Sequence, residues 1–152
     1  MYKRQHENLT ILLQEETFQI QLLNVCEIVR EVVEVQKSIY PNITFILDCS
    51  SFKAKVNPQA MKQMLQNIIS NACKYNSQDG YVKIYDKNNS LHIEDGGKGI
   101  KDLDRIFERS YSTEHSSGIG LDIVKRLAKA MDIEIEIKTN KNRRTIFILT
   151  MR

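Results

Sequence analysis

Four polar side chains recur along one helical segment, MKQMLQNIISNACKYN at residues 61–76. Gln63, Asn67, Asn71 and Lys74 are four, four and three residues apart, so an α-helix places them in one stripe. Asparagine inside a helix costs up to ~0.7 kcal/mol relative to alanine. The helix alone favours a solvated polar face. An amide oxygen is also a hard ligand that suits Mg²⁺, and a lysine one turn away could hold a phosphate.

The stretch LHIEDGGKG at residues 91–99 contains three of the six glycines of the chain. An alternating, strand-like run ends at Asp95, and glycines follow directly. Because glycine has no Cβ, another group can approach the backbone closely there. A flat ring could lie against this backbone while the carboxylate accepts a hydrogen bond from an exocyclic amine, which describes adenine. A plain glycine-rich turn is the alternative, since the motif by itself is weak.

A second glycine pair opens the amphipathic segment GIGLDIVKRLAKAM at residues 118–131. Gly118 and Gly120 would lie at the first turn of a helix, where free backbone N–H groups and the helix dipole favour a phosphate. An ordinary helix start is the alternative interpretation of this segment alone.

The hydrophobic periodicity of the sequence predicts the helices and strands that would position these candidate residues. Asn24 with Glu27 forms a capping-box pattern, and Asn57-Pro58 is a strong helix start. Helices are predicted at residues 5–15, 24–40, from 58 onward, 103–108 and 118–131. Strands are predicted at residues 17–22, 43–48, 81–85, 90–94, 133–138 and 145–150. Mixed helices and hairpins favour a single domain with two layers, an α/β sandwich.

The bulk composition narrows the function classes. A net charge of +3 over 152 residues gives no reason to expect a nucleic-acid partner. The three cysteines, Cys26, Cys49 and Cys73, share no close spacing, so we expect free thiols in a reducing compartment and neither a disulfide nor a zinc site. The sequence lacks an apolar run long enough for a membrane helix, so we expect a cytoplasmic chain; a membrane anchor elsewhere in a full-length protein stays open.

Four ordered motifs, NxxxNAxKY, DxGxG, IFERSY and GxGLxIVKxL, resemble the catalytic and ATP-binding domain of sensor histidine kinases. That domain belongs to the Bergerat-fold, or GHKL, superfamily. The resemblance covers residues 17–152 and implies an α+β fold with a mixed, mostly antiparallel sheet of about five strands under three helices. Residues 1–16 would then be the tail of a preceding dimerisation helix.

The resemblance also implies roles for particular residues. Asn71 matches the asparagine that binds Mg²⁺, and Asn67 lies one turn before it. Lys74 and Tyr75 match the pair that contacts phosphates and ribose, and Asp95 matches the aspartate that reads adenine. The catalytic set would be Asn67, Asn71 and Lys74.

The resemblance also implies a short lid over the nucleotide at residues 110–117 and further nucleotide contacts around it. Phe107 matches the phenylalanine that anchors the lid. The remaining nucleotide-binding positions are Gly97, Gly99, Ile100, Arg109, Ser117, Gly118, Ile119, Gly120 and Leu121. Gly96 departs from the family pattern, in which asparagine is common, and Asp132 stands in a turn where the family usually has glycine.

The implied function is transfer of the γ-phosphoryl of ATP, with Mg²⁺, to a histidine on dimerisation helices, for signalling to a response regulator. A Bergerat-fold ATPase or an anti-sigma serine kinase is the alternative. Those proteins usually carry a glutamate four residues before the magnesium asparagine, where this chain has Asn67, which cannot take a proton. A nucleotide-binding module without phosphotransfer is a third option.

Overall fold

The computed structural model describes residues 18–76, 79–96, 118–139 and 144–151. Within this part of the chain there are three helices and seven strands. The helices are α1 (Val25–Ile39), α2 (Pro58–Lys74) and α3 (Gly118–Ala130). The strands are β1 (Gln21–Asn24), β2 (Thr44–Asp48), β3 (Lys53–Val56), β4 (Tyr81–Lys87), β5 (Ser90–Asp95), β6 (Glu134–Thr139) and β7 (Thr145–Thr150).

The main sheet has five strands in the order β2-β4-β5-β7-β6. β2 runs parallel to β4, and the other neighbours pair antiparallel. β1 and β3 form a separate antiparallel pair. A mixed, mostly antiparallel sheet under three helices is the predicted α+β sandwich, and that prediction is confirmed.

Alternation along the strands places the core between the sheet and the helices. Val82, Ile84, Leu91 and Ile93 are buried, whereas Lys83 and His92, which alternate with them, are half-buried. The helices cover this face with apolar side chains such as Leu65, and α2 packs against both α1 and α3.

The residues in two turns explain where the chain reverses direction. The β4–β5 hairpin turns at Asn88 and Asn89, both with positive φ (49° and 62°), as a two-residue hairpin turn requires. After α3, Asp132 adopts a φ of 56° in the position that the sequence assigned to a turn without glycine. The sequence predicts a hairpin around residues 86–89 and a turn at Asp132, and both are confirmed. Aspartate and asparagine tolerate this region better than other side chains.

The first strand was predicted at 17–22, so it starts four residues and ends two residues before β1 (Gln21–Asn24). Its alternation, Phe18, Ile20 and Leu22, indicated one apolar face, but Leu22 is 64% exposed and Leu23 is half-buried. Pairing with β3 decides the register: Leu23 lies opposite Ala54, whose side chain is buried. The KAKV segment of β3 was not predicted, because a four-residue strand carries too little periodicity to detect.

The expectation of three free thiols was wrong. Cys26 and Cys49 form a disulfide with Cα atoms 5.6 Å apart, and Cys73 is free and buried. The two cysteines are 23 residues apart, but Cys26 lies in the first turn of α1 and Cys49 follows β2. This proximity depends on tertiary packing, so sequence spacing did not reveal it.

The predicted helices at 5–15 and 103–108 lie outside the described residues. None of the helices in the described ranges is long and apolar enough to cross a bilayer.

Candidate functional site

Helix α2 is anchored at its start by Asn57. The Asn57 Oδ1 accepts a hydrogen bond from the Ala60 N–H at 2.9 Å, and Pro58 occupies the first helical position. The Asn57 Nδ2 also donates to the Gln19 carbonyl at 3.0 Å, which ties the helix start to the segment before β1. These contacts fix the rotation of α2 and therefore the direction of its polar stripe.

That polar stripe is not an open, solvated face. Gln63, Asn67 and Asn71 are half-buried, and only Lys74 is exposed. The Asn67 Nδ2 is shielded from solvent and has no hydrogen-bond partner among the described residues. An unpaired buried donor costs about 1–3 kcal/mol. Because rotating the amide exchanges its nitrogen and oxygen, the same position could offer a donor to a phosphate or an oxygen to a cation.

The last turn of α2 brings a cation and an aromatic ring together. The Tyr75 N–H donates to the Asn71 carbonyl at 3.1 Å and ends the helix. The Lys74 Nζ lies 5.6 Å from the centre of the Tyr75 ring, within cation–π range. The ammonium group stays in solvent, so it is free to contact an anion at this end of the helix.

Asp95 ends β5 with its side chain on the helix side of the sheet. It follows the alternation of Leu91 and Ile93 and is 9% exposed. Burial, and after it the nearby Asp95 carboxylate, raises the pKa of the Cys73 thiol on α2 to about 12. The carboxylate is therefore close to the C-terminal half of α2, and the structure brings Asp95 and the Asn71 end of the stripe into one region.

Thr145 is a polar neighbour of Asp95 that sequence reasoning did not single out. It is the Cα partner of Asp95 in the β5–β7 ladder and is 2% exposed. A hydroxyl buried beside a carboxylate is a second polar group for a ligand in this region. Strand register is the signal that identifies it, and register was not predicted.

Position 96 requires glycine because an aromatic ring lies against it, on the face of the sheet opposite Asp95. A Cβ on Gly96 would lie 2.8 Å from a Tyr81 ring carbon. That ring is held in place: the Tyr81 hydroxyl donates to Glu94 at 2.5 Å, and the Arg144 guanidinium lies 5.0 Å from the ring centre. The departure from the family's asparagine at this position thus has a steric reason.

The second glycine segment begins α3, as the sequence predicted. Gly118, Ile119 and Gly120 form its first turn, and Leu121 is buried where α3 packs against α2. The other predicted nucleotide contacts lie outside the described residues: Gly97, Gly99, Ile100, Phe107, Arg109 and Ser117.

Comparison with known proteins assigns the family. Residues 56–152 match the model of histidine kinase-, DNA gyrase B- and HSP90-like ATPases. The chain belongs to this family. It is 37% identical over 112 residues to the sensor histidine kinase YcbM of Bacillus subtilis (strain 168), a match that covers 65% of this chain and 36% of YcbM.

Solved structures share the fold. The mycobacterial sensor histidine kinase MprB superposes with a TM-score of 0.77 at 20% identity, covering 87% of this chain and 96% of that chain. Full-length ShkA, solved in complex with AMPPNP, superposes with a TM-score of 0.74 at 18% identity, covering 99% of this chain and 35% of that chain. The architecture is that of a histidine kinase catalytic domain, and the chain spans about a third of the length of YcbM.

Proposed function

We propose that residues 17–152 bind ATP with Mg²⁺ and present its γ-phosphoryl group to a histidine on the dimerisation helices of a full-length sensor kinase. Residues 1–16 would be the tail of one such helix. A response regulator would receive the phosphoryl group next, and the domain would act in the cytoplasm. The family and its sensor-kinase relatives support this assignment.

The buried carboxylate of Asp95 carries the nucleotide part of the proposal. This carboxylate lies at the end of a strand, beside a buried threonine and below α2, where it can accept a hydrogen bond from the exocyclic amine of adenine. Gly97 and Gly99 follow directly and would leave room for the ring.

The polar stripe of α2 supplies ligands that fit Mg²⁺. Asn71 and Asn67 each offer an amide oxygen, and Mg²⁺ prefers oxygen ligands while keeping several waters. Among the described residues, the buried Asn67 Nδ2 has no hydrogen-bond partner, and rotating the amide would place its oxygen there for the ion. When bound, the ion would neutralise charge on the phosphates during transfer.

Lys74 and Tyr75 would position the phosphates and the ribose. Lys74 is exposed, and its ammonium group can approach a phosphate, whereas the half-buried Tyr75 ring presents a flat surface beside it. Catalysis of this kind consists mainly of orientation and charge stabilisation, because the acceptor histidine would provide the nucleophile. Gly118, Ile119 and Gly120 would add backbone N–H groups at the start of α3.

Substitution of Asp95 tests the proposal. Asp95→Asn retains the size of the side chain but removes the charged acceptor, so ATP affinity should fall by about 1.5–3 kcal/mol, roughly 10- to 150-fold. Isothermal titration calorimetry with ATP and Mg²⁺ measures this change. Glu136→Gln, on the exposed outer face, is the matched control and should leave affinity unchanged. Equal affinity in Asp95→Asn and the wild type, with both folded by circular dichroism, would refute the adenine assignment.

A further inference from the structure

Three potential metal ligands converge at one end of the sheet, away from the polar stripe of α2. The Sγ atoms of Cys26 and Cys49 and a carboxylate oxygen of Asp86 all lie within 4.8 Å of one another. Among the described residues, no other group of three histidine, cysteine or carboxylate side chains is this compact.

The fold itself builds this cluster from three elements. Asp48 pairs with Tyr85 in the parallel β2–β4 ladder, so Cys49 and Asp86 follow side by side in the same register. Asp86 continues the alternation of Val82 and Ile84, which directs side chains toward the helices. Cys26 lies above them in the first turn of α1 and completes the group.

The start of α1 holds Cys26 in position. The Cys26 backbone N–H donates to the Asn24 Oδ1 at 3.1 Å, at the second position of the helix. Cys26 is 0% and Cys49 9% exposed, whereas Asp86 lies at the surface, so the cluster has an apolar interior and one side open to water.

We propose that these three side chains form a redox-controlled zinc site. With the disulfide reduced, Cys26 and Cys49 bind Zn²⁺ through sulfur and Asp86 binds it through oxygen, and water completes a tetrahedral set. Thiolate and carboxylate ligands bind zinc at about 2.0–2.3 Å, so ligand atoms around one ion are about 3.3–3.8 Å apart. Small side-chain rotations after the S–S bond opens would give this spacing.

The disulfide and the metal use the same sulfur atoms, so the two states exclude each other. A phosphine reductant attacks one sulfur, the S–S bond breaks, and water converts the phosphorus adduct to the phosphine oxide, leaving two thiols. Zinc binding then releases the two thiol protons. Two-electron oxidation by a disulfide-containing oxidant, which is itself reduced to two thiols, forms the S–S bond again and expels the ion.

Cobalt titration of the full chain tests the site, because Co²⁺ in a thiolate site absorbs visible light and Zn²⁺ does not. The chain reduced with a phosphine under nitrogen should bind one Co²⁺ with thiolate-to-cobalt absorption, and added Zn²⁺ should displace it. The oxidised chain should show no such band. Binding of one Co²⁺ equally to the oxidised and reduced chains would overturn the proposal.

Variants separate the proposed ligands from the remaining thiol. Cys49→Ser should abolish the thiolate band, and Asp86→Asn, at an exposed position that should not disturb folding, should weaken binding at least about tenfold, as even partners of metal ligands do. Cys73→Ser is the matched control and should retain full binding. A band that persists in Cys49→Ser, or one that is lost in Cys73→Ser, would place the metal elsewhere and contradict the assignment. Unchanged metal affinity in Asp86→Asn would show that the Asp86 carboxylate is not a ligand.

Discussion

At the scale of single residues, the polar groups buried beneath and within α2 indicate a binding region. Among the described residues, the buried Asn67 Nδ2 has no hydrogen-bond partner, and Asp95 places a carboxylate below the same helix. An unpaired buried donor costs about 1–3 kcal/mol. Stability alone would favour an apolar side chain at position 67, so the presence of asparagine there argues for a ligand that pairs with its amide.

Asn71 should contribute to ATP binding mainly by binding Mg²⁺. If its amide oxygen binds Mg²⁺, Asn71→Ala should weaken ATP binding about tenfold or more in Mg²⁺, by loss of a charge-assisted contact, and much less in EDTA. Titration calorimetry under both conditions measures the difference.

Gln66→Ala provides the control for Asn71→Ala, since Gln66 is exposed on the same helix. It should leave binding unchanged in both buffers. An equal loss for Asn71→Ala with and without Mg²⁺ would identify Asn71 as a structural residue, because its half-buried side chain would then support the helix and not the ion.

At the scale of elements, α2 depends on the cap that sets its position. Asn57→Ala removes both the acceptor for the Ala60 N–H and the donor to the Gln19 carbonyl. Loss of an N-cap costs about 0.5–2 kcal/mol, and the buried position of Asn57 favours the upper end of this range. Urea denaturation should show this decrease in the free energy of unfolding for the reduced chain and for the oxidised chain.

Two comparisons make the cap prediction specific. Asn57→Ser retains an acceptor oxygen and should recover part of the stability. Asn42→Ala, at an exposed turn position, should change stability by less than about 0.5 kcal/mol. If Asn57→Ala were no less stable than Asn42→Ala, the side-chain bonds of Asn57 would not be what anchors α2.

Local sequence chemistry predicted the elements with strong signals. The start of α1 follows Asn24, although its Oδ1 bonds the Cys26 N–H and not the Glu27 N–H that a capping box would use. The Asn88-Asn89 turn fixed the β4–β5 hairpin. β1 was misplaced and β3 missed because their positions depend on pairing with each other, which is not encoded in periodicity.

The residues of the candidate site also fall into two groups: those that local sequence patterns predict and those whose positions depend on tertiary pairing. The stripe on α2 and Asp95 were predictable, because helix spacing and a strand followed by glycines are local patterns. Thr145 is about 50 residues from Asp95 in sequence and lies beside it only through the β5–β7 register. The Cys26–Cys49 disulfide likewise depends on the packing of α1 over the end of β2.

At the scale of the whole molecule, the sheet separates two faces with different chemistry. Asp95 lies on the helix side with the polar stripe of α2. The opposite face carries His92, whose ring stacks on Tyr85 at 4.8 Å between centres. Burial, then Lys87 and Lys138, lower the His92 pKa, and Glu136 partly opposes them. Neutral imidazole, the nucleophilic form, is therefore favoured at His92, so protonation does not keep it from reacting.

Position, and not protonation, should keep this chain from phosphorylating itself on histidine. His92 lies behind the sheet from Asp95, and transfer requires an imidazole aligned with the γ-phosphoryl at roughly 3–3.5 Å. His6 lacks the family's phosphoacceptor pattern, and His115 is in the predicted lid; both lie outside the described residues. Incubation with labelled ATP and Mg²⁺ should leave the chain unlabelled, whereas an added phosphoacceptor helix fragment of the full-length protein should be labelled. Acid-labile label on the chain alone would contradict the prediction, and its loss in His92→Gln or His115→Ala would identify the acceptor.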